Sequence, residues 1–147
     1  MNILCTGNKN KPKLSLVIKE LNLLFTNSIN NLFIDKKLDG VLNEDSYDYL
    51  DIYKPSSPID FVVCIGGDGS ILSAVRRMND FQIPIVGIHI GNLGFLNKLN
   101  MEDYIPVLKS ILEYDSIEYD NKHLLKASFK NNNNSEDYMY ALNEIFI

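Results

Sequence analysis

The chain has 147 residues, of which 46% are hydrophobic and 22% are charged, and its formal net charge is -5. This composition is typical of a soluble globular protein, and the length is sufficient for a buried core. Because the charges form no basic stripe, we expect neither a nucleic acid nor a membrane as a partner. The sequence shows neither a signal peptide nor an apolar run of bilayer length, so the expected location is the cytoplasm.

The first part of the chain predicts a strand, a helix and a second strand. Residues 2–6 form a short apolar run before a turn, and Asn10 is a candidate cap for the following helix. Apolar residues recur at helical spacing from Leu14 onward. Residues 30–35 predict the second strand. Residues 36–58 are rich in Asp, Tyr and Ser without a sustained period, so we expect mostly loop there.

Two strand–turn–helix units follow. Residues 61–65 are continuously apolar, which is typical of a strand covered on both faces, and residues 85–90 predict another buried strand. Each of the two runs ends on a glycine-rich turn. Asn100 or Asp103 can cap the helix after the second turn. The alternation predicts an α/β fold with a doubly wound, mostly parallel sheet. Ligands of such sheets bind at the carboxyl ends of the strands, where both glycine turns fall.

The pattern changes near the end of the chain. The segments LLKASFK and DYMYALNEIFI, joined by a polar tip, predict a β-hairpin. Because the chain stops inside an apolar run, which would leave an unprotected edge, we expect a fragment of a longer protein. Cys5 and Cys64 lie within strand-like apolar runs, so we expect buried thiols and no metal ligands.

The sequence GGDGS, residues 66–70, lies between a predicted strand and a predicted helix. Glycines admit a close approach of phosphate, and a helix start presents unpaired N–H groups and a positive dipole end. The turn lacks the lysine of a P-loop, and Leu72 replaces the third glycine of the dinucleotide fingerprint. We therefore expect a phosphate site of another type.

Asp68 distinguishes this turn from a simple anion site. A carboxylate at this place is useful if it holds a metal or accepts a proton from a substrate hydroxyl, which suggests phosphoryl transfer. Such a transfer depends more on positioning than on a strong base. The alternative is a tight turn in which Asp68 only caps the following helix.

Three motifs carry a resemblance to a known family. IGGDGSIL resembles the signature shared by NAD kinases, diacylglycerol and sphingosine kinases, and phosphofructokinases. GIHIGNLGFL, residues 87–96, resembles the second motif of NAD kinases, and ALNEIFI, residues 141–147, resembles their Asn-Glu motif. By these motifs the chain is identified as a member of the NAD kinase family, N-terminal portion. The alternatives are a lipid or sugar kinase with the same turn and a non-catalytic nucleotide-binding module.

The resemblance implies ATP-dependent phosphorylation of the adenosine 2′-hydroxyl of NAD to give NADP, with a divalent metal such as Mg²⁺ and a homodimer or homotetramer. Asp68 would be the proton acceptor or a metal-linked aspartate. The residues that would contact nucleotide are Asp68, Gly69, Leu72, Phe95, Asn143 and Glu144. A core aromatic is the alternative for Phe95, and an exposed polar pair is the alternative for Asn143 and Glu144.

The chain also departs from the family pattern. His89 stands where the family usually has Asn, Lys122 where it has Arg, and Ser73 where many members have a basic residue. Family members continue through a β-rich domain that this sequence does not contain. We therefore expect an α/β nucleotide- and phosphate-binding domain over residues 1–115, the incomplete start of the β-rich domain over residues 116–147, and no activity from this chain alone.

Overall fold

A computed structural model describes residues 1–26, 28–42, 47–91, 93–113, 119–130 and 136–142. These residues form a parallel sheet flanked by helices and a separate antiparallel hairpin. In chain order the elements are β1 (Asn2–Gly7), α1 (Leu14–Thr26), β2 (Asn31–Asp35), a 3-10 helix (Lys36–Leu38), β3 (Asp48–Leu50), β4 (Phe61–Gly66), α2 (Asp68–Met78), β5 (Ile85–His89), α3 (Tyr104–Glu113), β6 (Leu125–Lys130) and β7 (Glu136–Ala141).

The sheet has the strand order β3-β2-β1-β4-β5, and every neighbouring pair is parallel. The chain first adds strands on one side of β1 and then, from β4, on the other side. The order therefore reverses between β1 and β4, which defines the topological switch point of a doubly wound sheet. The predicted α/β class and the parallel sheet are confirmed.

The two faces of the sheet bury two apolar layers. Alternate side chains of a strand point to opposite faces, so Ile3 of β1 packs with residues of α1 and α3, whereas Leu4 packs with residues of α2. Every residue of β4 is buried. This double coverage explains why the sequence of β4 is continuously apolar.

The structure differs from the sequence-based expectations at three places. β5 was expected to be a buried strand, but it lies at the edge of the sheet and most of its residues are only partly buried. Residues 36–58 contain the 3-10 helix and β3, although the segment was expected to be mostly loop. β3 is a three-residue edge strand, which is too short to show an alternating pattern. Helix α1 begins at Leu14 and Asn10 does not cap it; the N–H of Asn10 instead donates to the side-chain oxygen of Asn8 in the preceding turn.

The predicted hairpin is confirmed as β6 paired with β7. The ammonium of Lys126 lies 4.0 Å from the ring centroid of Tyr138 and 5.1 Å from that of Tyr140. The Tyr140 hydroxyl donates to Asp80, which follows α2. The hairpin therefore contacts the α/β layer beside the end of α2.

Both cysteines are buried and free, as expected. Burial raises the pKa of both thiols, that of Cys64 to about 12. They are therefore protonated at neutral pH and behave as small apolar side chains. Within the ranges given above, no helix is long and apolar enough to cross a membrane.

Candidate functional site

A cleft of about 580 Å³ opens at the switch point, above the carboxyl ends of β1 and β4. β1 ends at Gly7, where an added Cβ would lie 2.5 Å from the carbonyl oxygen of Ile65. Only glycine allows the two strand ends to lie so close together. The residues that line the cleft are Gly7, Asn8, Lys9, Asn10, Lys11, Lys37, Leu38, Gly67, Gly69, Ser70 and Ser73.

One wall of the cleft is the first turn of α2. Gly66 has a φ of 151°, which side-chain-bearing residues rarely adopt, and Gly67 is the N-cap without a side-chain capping bond. A Cβ at Gly67 or Gly69 would meet no atom within 4 Å. The start of the helix, with its positive dipole end, is therefore open to a ligand.

The Asp68 carboxylate is held by the second glycine turn. Its Oδ2 accepts a hydrogen bond from the backbone N–H of Phe95 at 2.7 Å, and its Oδ1 accepts from those of Leu96 at 3.0 Å and Asn97 at 3.2 Å. The alternative in which Asp68 only caps its own helix is therefore wrong. Desolvation raises the pKa of Asp68, but these three donors outweigh it and hold the pKa below the usual 3.8.

The two glycine turns fit closely against each other. A Cβ at Gly94 would lie 2.1 Å from Oδ1 of Asp68, so only glycine leaves room for the carboxylate. The carbonyl oxygen of Gly66 accepts from the backbone N–H of Ile90 and from the side-chain Nδ2 of Asn97, both at 3.1 Å. The position of Asp68 is therefore fixed from both turns.

Three lysines give the cleft a positive charge. Lys9 and Lys11 lie in the turn after β1, and Lys37 lies in the 3-10 helix after β2. The Nζ of Lys11 lies 3.9 Å from the position of a Cβ on Gly91, so it reaches the second glycine turn. Burial lowers the pKa of Lys37, although the nearby Asp35 carboxylate acts in the opposite direction. None of the three lysines was predicted from the sequence, although Lys9 and Lys11 belong to the NKNK run after the first strand.

A buried ion pair supports the wall that carries Lys37. The side chain of Asp35 is fully buried and accepts from the Thr6 hydroxyl at 2.5 Å and from both terminal nitrogens of Arg77, at 2.8 Å for Nη2. Oδ1 of Asp35 also accepts from the backbone N–H of Lys37 at 3.4 Å. The pair connects α2 to the turn that follows β2.

The predicted contact residues have different positions in the structure. Gly69 lines the cleft, and Leu72 lies on α2 outside the lining. Phe95 is 97% exposed on the second glycine turn, so the alternative of a core aromatic is wrong. Asn143 and Glu144 lie outside the described residues.

The three departures from the family pattern also have different environments. Ser73 lines the cleft. Lys122 lies 3.6 Å from the exposed carboxylate of Asp120. His89 donates its backbone N–H to Leu99, and its Nδ1 is buried without a partner in the described part of the chain. Of the three, Ser73 is the residue placed to contact a ligand in the cleft.

The side chains of the site fit a metal ion that takes most of its ligands from a bound phosphate group. Among the described residues, no group of three or more His, Cys, Asp or Glu side chains could hold a metal by itself. Mg²⁺ in phosphoryl-transfer enzymes commonly uses one or two carboxylates and takes its other ligands from phosphate oxygens and water. Asp68 supplies such a carboxylate beside the cleft.

Comparison with known proteins identifies relatives. The profile of the ATP-NAD kinase N-terminal domain matches residues 26–117. The NAD kinase of Sulfurimonas denitrificans is 30% identical over 136 residues, which are 92% of this chain and 46% of that protein. The NAD kinase of Methanosphaera stadtmanae is 38% identical over 92 residues, which are 63% of this chain and 32% of that protein. The chain thus spans less than half the length of these curated relatives.

The fold also has a solved counterpart. The crystal structure of yeast NADH kinase complexed with NADH superimposes with a TM-score of 0.75 and 19% sequence identity. The match covers 97% of this chain and 47% of the yeast chain. At 19% sequence identity, this similarity shows that the two chains share a fold.

Proposed function

Because the chain belongs to the NAD kinase family, we propose that it is the phosphate-binding half of an enzyme that transfers the γ-phosphoryl group of ATP to the adenosine 2′-hydroxyl of NAD. The product is NADP. The observation that carries this proposal is the Asp68 carboxylate, which three backbone N–H groups hold beside a lysine-lined cleft. A fixed carboxylate next to a polyanion site is the arrangement that phosphoryl transfer requires.

The cleft binds the triphosphate of the donor. Lys9, Lys11 and Lys37 supply positive charge, and the open first turn of α2 supplies N–H donors. When Mg²⁺ is bound, it would neutralise charge on the donor phosphates, and those phosphates with water would supply its ligands, because the one lone-pair site left on Asp68 serves the attacking hydroxyl.

Asp68 accepts the proton of the attacking hydroxyl. A carboxylate has about four lone-pair sites, and backbone N–H groups fill three of them here. Since Oδ2 accepts only one of these bonds, it retains capacity for the 2′-hydroxyl. The lowered pKa makes Asp68 a weak base. A weak base is sufficient because phosphoryl transfer passes through a loose transition state that depends little on deprotonation of the attacking hydroxyl.

The remaining assignments follow from the same proposal. Gly69 and Leu72 contact nucleotide, Phe95 packs its exposed ring on the adenine, and Asn143 with Glu144 hydrogen-bonds the NAD adenosine. We further propose that residues 1–115 are the α/β domain and that residues 116–147 begin a β-rich domain. The enzyme works as a cytoplasmic homodimer or homotetramer.

An assay of NADP formation tests the proposal. The full-length gene product is incubated with Mg²⁺, NAD or NADH, and either ATP or inorganic polyphosphate, and the product is measured with an NADP-specific dehydrogenase. We expect NADP from NAD and ATP. A folded protein that binds both nucleotides and forms no phosphorylated product would contradict the proposal.

The same assay on residues 1–147 tests the role of the chain by itself. The curated relatives are more than twice as long as the stretch they share with this chain, so we expect no measurable NADP from the 147-residue polypeptide. Turnover at the full-length rate would show that the α/β domain and the hairpin are sufficient for catalysis.

Replacement of Gly69 is expected to affect binding of the phosphate donor, ATP, without lowering the stability of the protein. An added methyl at this helical position meets no atom within 4 Å beyond its chain neighbours and the backbone of its own helix, so Gly69→Ala is expected to keep or raise stability by up to about 1 kcal/mol. The methyl projects where the donor phosphates approach, so we expect KM for ATP to rise about tenfold, a loss of about 1.4 kcal/mol in binding. Ser110→Ala on the exposed side of α3 is the control. An unchanged KM for ATP would place the donor elsewhere.

A further inference from the structure

Asn97 joins the two glycine turns through its backbone and its side chain. It is fully buried, and its Nδ2 donates to the carbonyl oxygen of Gly66 at 3.1 Å. Its backbone N–H donates to Oδ1 of Asp68 at 3.2 Å. One residue thus contacts both the strand end before Asp68 and the Asp68 carboxylate itself.

The Oδ1 of Asn97 makes no hydrogen bond within the described part of the chain and is completely shielded from solvent. A buried amide with an unsatisfied oxygen destabilises a fold compared with an apolar side chain of similar shape. Nδ2 of the same amide does bond to Gly66, so the amide at this position indicates a role other than stabilising the fold.

β5 is built to accommodate this amide. A Cβ at Gly87 would lie 2.0 Å from Oδ1 of Asn97, and Gly87 is in the interior of the strand, paired with Cys64. Glycine within a strand weakens it and marks the close approach of another group. Here the group that approaches is the Asn97 side chain.

We propose that Asn97 is a positioning residue that sets the orientation of Asp68 toward the attacking hydroxyl. The inference rests on the proposed function, since Asp68 is the group that receives the proton. The hydrogen bond from Nδ2 of Asn97 fixes the carbonyl group of Gly66, which lies two positions before Asp68. Gly66 has a φ of 151°, a conformation that glycine adopts readily, so this bond restricts a residue that would otherwise be flexible. The same side chain anchors the backbone whose N–H groups hold the carboxylate.

The kinetic consequence is a split between kcat and KM. The proposed contacts to the donor phosphates lie on the cleft lining, to which Asn97 does not belong, so binding of the ATP phosphates does not depend on the amide. Misplacement of a reacting group by about 1 Å can cost about a hundredfold in rate. Loss of the amide therefore acts on the chemical step.

The test measures Asn97→Ala in the full-length gene product. We expect kcat to fall about tenfold to a hundredfold, with KM for ATP within about twofold of wild type. Leu21→Ala, a core truncation on α1 outside the cleft, is the structural control and is expected to lower the melting temperature without this fall in kcat. An unchanged kcat in Asn97→Ala, or an equal loss in Leu21→Ala, would overturn the role.

A double substitution tests whether the amide is the mediator. Gly87→Ala displaces the Asn97 side chain and also shifts the flexible end of Ile71, whose Cδ1 would lie 2.8 Å from the new methyl, and is expected to lower kcat by a similar factor. In Asn97→Ala/Gly87→Ala the new methyl occupies the space of the missing amide, so kcat should equal that of Asn97→Ala alone. Multiplied losses in the double variant would contradict the mechanism.

Hydrogen exchange gives a readout that does not depend on catalysis. The N–H groups of Phe95 and Leu96 donate to Asp68, so their exchange in Asn97→Ala should be at least about tenfold faster than in wild type, while α1 amides are unaffected. Unchanged protection would overturn the inference even where kcat falls. Lost protection in a protein that forms no NADP would instead overturn the proposed function and leave the contacts of Asn97 established.

Discussion

Asp68→Asn is expected to lower the rate of NADP formation by the full-length gene product by about a hundredfold to ten-thousandfold. The amide cannot accept the proton of the 2′-hydroxyl. It also has one oxygen for three backbone N–H donors, so the second glycine turn loses part of its attachment. The rate is measured at saturating ATP and NAD.

Two controls accompany this variant. Asp103→Asn removes an exposed carboxylate in the turn before α3 and should keep the wild-type rate. Circular dichroism and a melting curve should show that Asp68→Asn retains the fold. Turnover within about threefold of wild type would refute the assignment, because a group that receives the proton contributes more than that.

Arg77→Ala is expected to lower the free energy of unfolding by about 3 kcal/mol, the lower end of the range for breaking a buried ion pair. The Asp35 carboxylate is fully buried and would keep the Thr6 hydroxyl as its side-chain donor. We take the lower end because the Arg77 side chain is 26% exposed and water screens part of the interaction. Urea unfolding of the wild type and of Arg77→Ala at neutral pH measures the difference in free energy of unfolding.

The neighbouring arginine provides a matched control. Arg76 is exposed on the same helix, so Arg76→Ala should change the free energy of unfolding by no more than about 0.5 kcal/mol. Equal stability of Arg77→Ala and Arg76→Ala would show that the ion pair contributes nothing measurable.

The central part of the fold could be predicted from the sequence because its signals are local. A strand covered on both faces has a continuous apolar run, and β4 has one over residues 61–65. The GGDG turn could be placed between a strand and a helix for the same reason. β3 could not be predicted, since three residues at a sheet edge carry no period.

The arrangement of the site depends on contacts that a local pattern does not contain. The N–H donors of Asp68 are 27 to 29 positions away in the chain, and Arg77 is 42 positions from Asp35. Motif spacing predicted a role for Asp68, but it could not show which groups hold the carboxylate or that Asn97 and Gly94 lie against it. Such partners become visible only when the sheet brings the ends of β4 and β5 together.

A crystal structure of the full-length gene product with NAD, Mg²⁺ and a non-hydrolysable ATP analogue tests the role of Asp68 as proton acceptor. We expect the terminal phosphate in the lysine-lined cleft and the adenosine 2′-hydroxyl within hydrogen-bond distance of Oδ2 of Asp68. Nucleotides bound away from this corner, with the Asp68 carboxylate enclosed by protein atoms alone, would contradict it.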